Sequence, residues 1–409
     1  MRIMVGIMST RKRLYDVMLE RHFASVRQMA FLSGPRQVGK STVGRKAADL
    51  LLNWDAPEDR RILLRGPSAV AEWARLDRVR DRRPVLALDE LHTFRRWKGF
   101  LKGFFDTYGD RVRIAVTGSS RLDVFRRGGD SLMGRYFPYR MHPFSIAELS
   151  TPDLPDEQRI LRSPASIPTK EFDALWTYGG FPEPFLQRSD SFGRRWRRLR
   201  REQLVREDIR DMTRVQEIDQ LDSLLQLLED RSGCQVNFSS LANEVRVSVD
   251  TIRRWMATLQ AFFAGFLVRP WYRNAARSLR KEPKWYLRDW SAIGDEGARF
   301  ETFVACHLLK AVEGWSDLGW GDFELRYLRD KEKREVDFVV VRDRKPWFLV
   351  EAKVADERPQ AALSYFQALT GAPHAFQALL QCADTSADAF ARSGGPVTVS
   401  ARSFLSQLL

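Results

Sequence analysis

Short, nearly uninterrupted apolar runs mark the first third of the chain, each ending on a glycine, an acid or a hydroxyl residue. Gln28-Met-Ala-Phe-Leu32 reads as a buried strand, and Ser41 to Leu52 as the helix that follows it. Pro84-Val-Leu-Ala-Leu is a second such strand, delivering Asp89, and Val112 to Thr117 is a third. One more strand is expected just beyond Arg135. Buried strands alternating with helices predict an α/β fold whose ligands gather at the carboxyl ends of the strands.

The pattern then changes. Residues 151–170 hold four prolines and read as a linker or extended insertion. Tyr178-Gly-Gly-Phe-Pro-Glu-Pro reads as a turn between helices. A long helix is expected from Phe192 to Arg210, with Trp196, Leu199 and Leu204 on its apolar side. Arg194, Arg197, Arg198 and Arg201 share another face by i, i+3, i+4 spacing. Phe238 to Val245 predicts a short serine-capped helix, Thr251 to Gln260 a longer one, and Phe262 to Val268 a wing-like strand. That is helix-turn-helix logic, with Arg253 and Arg254 presented on the second helix. The C-terminal part predicts a helix from Gly297 and three strands, Phe323 to Leu328, Glu335 to Val341 and Trp347 to Val354. Alternation would put Trp347, Leu349, Glu351 and Lys353 on one face, with Asp337 paired beside Glu351.

A length of 409 residues allows several domains, and the pattern divides them at 1–150, 151–235, 236–285 and 286–409. Sixty-seven Lys plus Arg against 53 Asp plus Glu leave a net charge of +14, which favours a polyanionic partner, nucleic acid first among them. A soluble surface rich in arginine would give the same balance. The cysteines, Cys234, Cys306 and Cys382, lie far apart without metal-ligand spacing, as expected of a reducing cytoplasm. No run is long enough to span a membrane, and the first residues have the wrong order for a signal peptide.

The first apolar run leads into Gly34-Pro35-Arg36-Gln37-Val38-Gly39-Lys40-Ser41, followed by Thr42, which matches GxxxxGK[ST]. Glycines there let backbone N–H groups close on phosphates at a helix N-terminus. The expected roles are Lys40 on the β- and γ-phosphates of ATP, with Ser41 and Asp89 holding Mg²⁺ and Glu90 polarising the attacking water. The third strand runs into hydroxyls, and in AAA-type ATPases, which this pattern resembles, that position carries a polar sensor of the γ-phosphate or the attacking water, with Thr117 and Ser119 both candidates. Arg135 is placed to serve a neighbouring subunit's nucleotide as an arginine finger, or is a plain surface charge. In the C-terminal part, Asp337 with Glu351-Ala352-Lys353 has the PD-(D/E)xK pattern, although Val336 stands where that pattern has proline. Two carboxylates at this spacing can hold Mg²⁺ against a scissile phosphate, with Glu301 a possible third acid. A hairpin salt bridge, or a nuclease fold that binds without cutting, would leave the same residues.

LSGPRQVGKST, LNWD, LALDELH, VTGSS, MGRYFPYRMHPFSIAEL, YGGFPE and the VDFVVV…VEAK pair occur in one order. In this the chain resembles prokaryotic AAA-family ATPases that carry a C-terminal domain of unknown function with a restriction-endonuclease-like fold. The resemblance implies a P-loop AAA+-type ATPase domain, a helical connector with a winged helix, and a nuclease-like α/β domain. It also implies a ring such as a hexamer. Three functions follow as expectations: an ATP-driven protein acting on DNA, a nucleotide-gated assembly switch whose C-terminal domain is a docking module, or a metal-dependent nuclease whose ATPase gates access.

Overall fold

The apolar runs of the first third become parallel strands: β1 Met29–Ser33, β2 Leu50–Asn53, β3 Val85–Asp89, β4 Arg113–Thr117 and β5 Tyr136–Arg140. The computed structural model describes residues 11–118, 132–209, 217–272, 281–356, 358–382, 387–392 and 394–409, without the side chains of His92, Glu207 and Asp208. It divides into two units, residues 1–143 with 152–154, and residues 144–151 with 155–409.

In the first unit the strand order is β2-β3-β4-β1-β5. Every pairing is parallel. Because β4 is inserted between β1 and β3, the carboxyl ends of these three strands lie side by side. Helices α1 (Leu14–Ser25), α2 (Lys40–Ala47) and α3 (Trp97–Tyr108) accompany the sheet. Trp97, Phe100, Leu101, Phe104 and Phe105 form the buried stripe of α3, at the spacing of one helix face. They share a core with Phe31, Leu86, Leu88 and Ile114.

The helix expected over Ser41 to Leu52 stops at Ala47, and Leu50–Asn53 is an edge strand instead. The cause is tertiary. Leu50, Leu51 and Leu52 pair in register with Leu86, Ala87 and Leu88. Asp49 locks the start of the strand, accepting from the Val85 amide at 2.8 Å while its own amide donates to the Val85 carbonyl at 2.9 Å.

The second unit has a seven-stranded sheet ordered β12-β11-β10-β9-β8-β6-β7. Its strands are β6 Gly265–Pro270, β7 Lys284–Leu287, β8 Phe323–Arg329, β9 Glu335–Arg342, β10 Lys345–Lys353, β11 His374–Leu379 and β12 Val397–Ser400. Its helices include α4 Asp190–Gln203, α5 Phe238–Val245, α6 Val249–Ala261, α7 Glu296–Asp317 and α8 Ala361–Thr370. The β9–β10 turn holds Asp343 and Arg344 at φ 49° and 68°, the left-handed pair that suits a tight hairpin.

Three expectations are corrected here. The strand beginning near Phe262 is no free wing: β6 pairs with both β7 and β8, so a domain boundary at 285/286 would cut through β7. The cap of α5 is Asn237, whose side chain accepts from the Ser240 amide, and α6 begins earlier than expected, capped by Ser248. Trp347 and Leu349 do not share a face, because the register slips between Pro346 and Phe348. Trp347 packs on Trp315 of α7, while Leu349 joins the cluster of Leu363 and Phe366 from α8. Strands β11 and β12, parallel additions after α8, were not anticipated from the pattern. Among the described residues no helix is long and apolar enough to cross a membrane.

Candidate functional site

The loop between β1 and α2 is built by backbone geometry that its residue types allow. Gly34 lies at φ 151°, and a Cβ there would sit 2.3 Å from the Met141 carbonyl oxygen, so the loop passes too close to β5's end for any other residue. Gln37 and Gly39 also have positive φ, and α2 starts at Lys40 with Gly39 as its N-cap. Pro35 and Val38 are buried, Arg36 and Gln37 exposed, and Ser41 and Thr42 half-buried. Arg13, which sequence reasoning passed over, holds this loop from behind. Its guanidinium donates to the carbonyls of Val38 and His142, each at 2.9 Å.

The Lys40 ammonium donates to the carbonyls of Gly34 at 2.9 Å and Pro35 at 2.7 Å, folded onto the loop it would leave for a phosphate. Asp89, buried at the end of β3, accepts from the Ser41 hydroxyl at 3.0 Å and from the Thr117 hydroxyl. Two strand ends and the first turn of α2 thus converge on one carboxylate. Hydroxyl and carboxylate oxygens are the donors magnesium prefers, so Ser41 and Asp89 fit that ion. Glu90 follows in a left-handed conformation, φ 52°. Burial raises its pKa, Lys40 works against that rise, and Asp89 adds to it. Ser119 lies outside the described residues.

Arg135 precedes β5, whereas the phosphate loop follows the other end of β1, its parallel neighbour. A five-residue strand separates them, about 16 Å at the usual rise. Arg135 therefore does not reach its own chain's loop. It makes a two-pronged ion pair with Asp106 of α3, at 2.7 and 2.9 Å.

In the second unit Asp337 and Glu351 are neighbours across β9 and β10, as expected from strand pairing. The Asp337 amide donates to Glu351 at 3.3 Å, and the Ala352 amide donates to Asp337 at 3.0 Å. Glu301 projects from α7 toward them, and Lys353 Nζ lies 2.8 Å from Glu351 Oε1. Sequence reasoning missed the group at the centre. Lys284, the first residue of β7, places its ammonium 2.6 Å from Glu335, 2.9 Å from Glu301 and 3.2 Å from Asp337. Its side chain is 4% exposed. Burial opposes the charge, yet the surrounding oxygens hold the proton and raise the Lys284 pKa well above the usual value. Burial and the Asp337 charge push Glu301 and Glu351 each up to about 7. A divalent ion shared by Glu301 and Asp337 would sit against this ammonium, so the expected ligand set Glu301, Asp337 and Glu351 does not fit a metal as it stands. Among the described residues no group of three or more His, Cys, Asp or Glu side chains is arranged to hold one.

The arginine stripe of α4 splits in two. Arg194 and Arg198 are exposed. Arg197 donates to Ser291 at 3.3 Å, and Arg201 is drawn onto Asp222 at 2.9 Å and Glu229 at 3.1 Å. Leu199, expected on the apolar side, is 51% exposed, whereas Arg200 stacks over Phe181 and Trp196. The regular helix ends at Gln203, and Leu204–Ile209 continue as a π-helix. On α6, Arg253 and Arg254 are both exposed.

The fold and loop of the first unit define a mixed α/β domain with a parallel sheet, and residues 26–150 match the AAA domain family. Residues 169–294 match a domain of unknown function, DUF8612, and residues 296–397 another, DUF4143. Uncharacterized proteins of Mycobacterium bovis and Mycobacterium tuberculosis are each 24% identical over 295 residues, 68% of this chain and 59% of theirs. The matched region thus spans less than two thirds of those relatives' length. Among solved structures, the Aeropyrum pernix ORC1 protein in complex with DNA is 13% identical, with a TM-score of 0.32 over 71% of this chain and 91% of that one. AMPPCP-bound DnaA from Aquifex aeolicus is 13% identical, with a TM-score of 0.30 over 61% and 87%. Likenesses this slight carry no weight here.

Proposed function

We propose that the chain binds ATP with Mg²⁺ in the Gly34–Thr42 loop, hydrolyses it, and couples turnover to DNA. The observation that carries the ATPase reading is the Asp89 carboxylate shared by the hydroxyls of Ser41 and Thr117 beside the loop. Magnesium, when bound with the nucleotide, would neutralise charge on the β- and γ-phosphates. Loop amides and the N-terminus of α2 orient the phosphates, and Lys40 exchanges its two loop carbonyls for phosphate oxygens. Glu90 orients the attacking water. Thr117 holds Asp89 in one rotamer. Arg135 lies too far from its own loop to take part and acts on a neighbour's nucleotide in a homo-oligomeric ring.

DNA is favoured by the net charge of +14 and by exposed arginines on two helices, Arg194 and Arg198 on α4 and Arg253 and Arg254 on α6. Arg197 and Arg201 hold the fold rather than a phosphate backbone. A specific observation supports the second reading for the C-terminal domain, a module that binds without cutting: the Lys284 ammonium stands among its acids.

The test is steady-state ATPase measured with and without single-stranded, duplex and branched DNA. Wild type should be stimulated, and stimulation should fade as salt rises. Glu90→Gln should bind ATP without turning it over. Arg194→Ala/Arg198→Ala should retain basal turnover but lose stimulation. Turnover that ignores every DNA in wild type would leave the nucleotide-gated switch, and turnover intact in Lys40→Ala would remove the ATPase reading altogether.

A further inference from the structure

A lysine ammonium carries three N–H donors, and burying it is tolerated only where they are met by good acceptors. Lys284 meets that condition fully. Three separate carboxylates approach its Nζ within 3.2 Å, one from α7 and two from β9. These acids come from elements that fold together only when the sheet is complete, since Lys284 and Asp337 are 53 residues apart. The surroundings are equally committed. The Tyr286 hydroxyl donates to the same Glu301 oxygen at 2.6 Å, Arg329 pairs with the other oxygen of Glu335, and Lys353 is paired to Glu351. The acids are therefore held close by cations belonging to the chain, at the point where two of them would otherwise share a metal.

We propose that Lys284 is the resident cation of this cluster, a tethered stand-in for a divalent metal, so that the C-terminal domain keeps its acidic groups together without one. The inference does not rest on the ATP site, and either can fail alone. Its consequence is specific. With Lys284 in place the cluster has no room for a second cation. With the ammonium removed, Glu301, Glu335 and Asp337 lose the cation that all three share, Arg329 staying on the far oxygen of Glu335 and Lys353 on Glu351, and a divalent ion is the natural filler of hard oxygen donors.

The experiment titrates Mn²⁺ into the full chain without nucleotide, by calorimetry and electron paramagnetic resonance. Wild type, Asp337→Asn, Lys284→Met and Lys284→Met/Asp337→Asn are compared, so that weak binding at the ATP loop cancels. Wild type and Asp337→Asn should take up Mn²⁺ identically. Lys284→Met should gain one site, at least tenfold tighter than any in wild type, and the double variant should lose it. Weaker Mn²⁺ uptake by Asp337→Asn than by wild type would overturn the proposal, because the native cluster would then be holding metal. So would a folded Lys284→Met that gains no site. Should Lys284→Met fail to fold, wild type against Asp337→Asn decides alone, equal uptake upholding the proposal and unequal uptake ending it.

Discussion

The Thr117 hydroxyl offers the sharpest test of how the nucleotide site is held together. Its donation to Asp89 is a hydrogen bond to a charged group in a buried setting, with Thr117 1% exposed. Such bonds contribute about 1.5–3 kcal/mol, which corresponds to roughly 10- to 150-fold in rate if the oriented carboxylate is needed in the transition state. Thr117→Val removes the donor and keeps the shape. Asp89 retains the Ser41 hydroxyl at 3.0 Å but loses its second anchor. The expected outcome in a phosphate-release assay is a fall in kcat of that size, with the affinity for a fluorescent ATP analogue unchanged. Thr117→Ser supplies the control. It restores the donor but deletes the methyl group, which packs so closely on α2 that a Cβ at Gly44 would lie 2.8 Å from it. That variant should turn over nearly as fast as wild type while losing about 1 kcal/mol of stability. Wild-type kcat in Thr117→Val would refute the anchoring argument. A loss in the serine variant with wild-type kcat in the valine variant would show that the methyl contact matters and the hydroxyl does not.

Two further outcomes follow from the geometry. If Arg135 acts between subunits, Arg135→Ala and Lys40→Ala should each abolish turnover alone yet regain part of it when mixed, because one brings an intact loop and the other an intact guanidinium; no recovery at any ratio would sink that role. His307 accepts from the Ile146 amide at 3.0 Å and donates to the Phe303 carbonyl at 2.7 Å, and burial pushes its pKa down to about 3. A base depressed from its unfolded value near 6.5 contributes stability that is complete above that pH and lost as pH falls toward 3, about 2 kcal/mol between pH 7 and pH 5. Glu301 and Glu351, raised to about 7, act with the opposite sign over part of this range. The measurement is therefore the difference in urea unfolding between wild type and His307→Gln, and a difference that does not change with pH would contradict it.

What the sequence made legible depends on how far each residue's partners lie along the chain. The phosphate loop is read from eight consecutive residues because its function is mostly backbone geometry, and glycine spacing encodes backbone geometry directly. Asp89 is nearly as plain, since four apolar residues run straight into an Asp-Glu pair downstream of the phosphate loop. The arginine helix shows where this stops. Helical spacing correctly puts Arg194 and Arg198 together, but nothing local says that Asp222, Glu229 and Ser291 will draw Arg201 and Arg197 inward. The same limit hid β2, which is a strand only because Leu86–Leu88 lie beside it. It bears hardest on the C-terminal acids. Asp337, Glu351 and Lys353 form a metal-binding pattern when read alone, and strand pairing does bring them together. Whether that pattern holds a metal is decided by Lys284, whose ammonium arrives from β7, a strand that the sequence pattern did not predict. A motif describes which groups meet; the charge already among them, supplied from elsewhere in the fold, determines what else can bind.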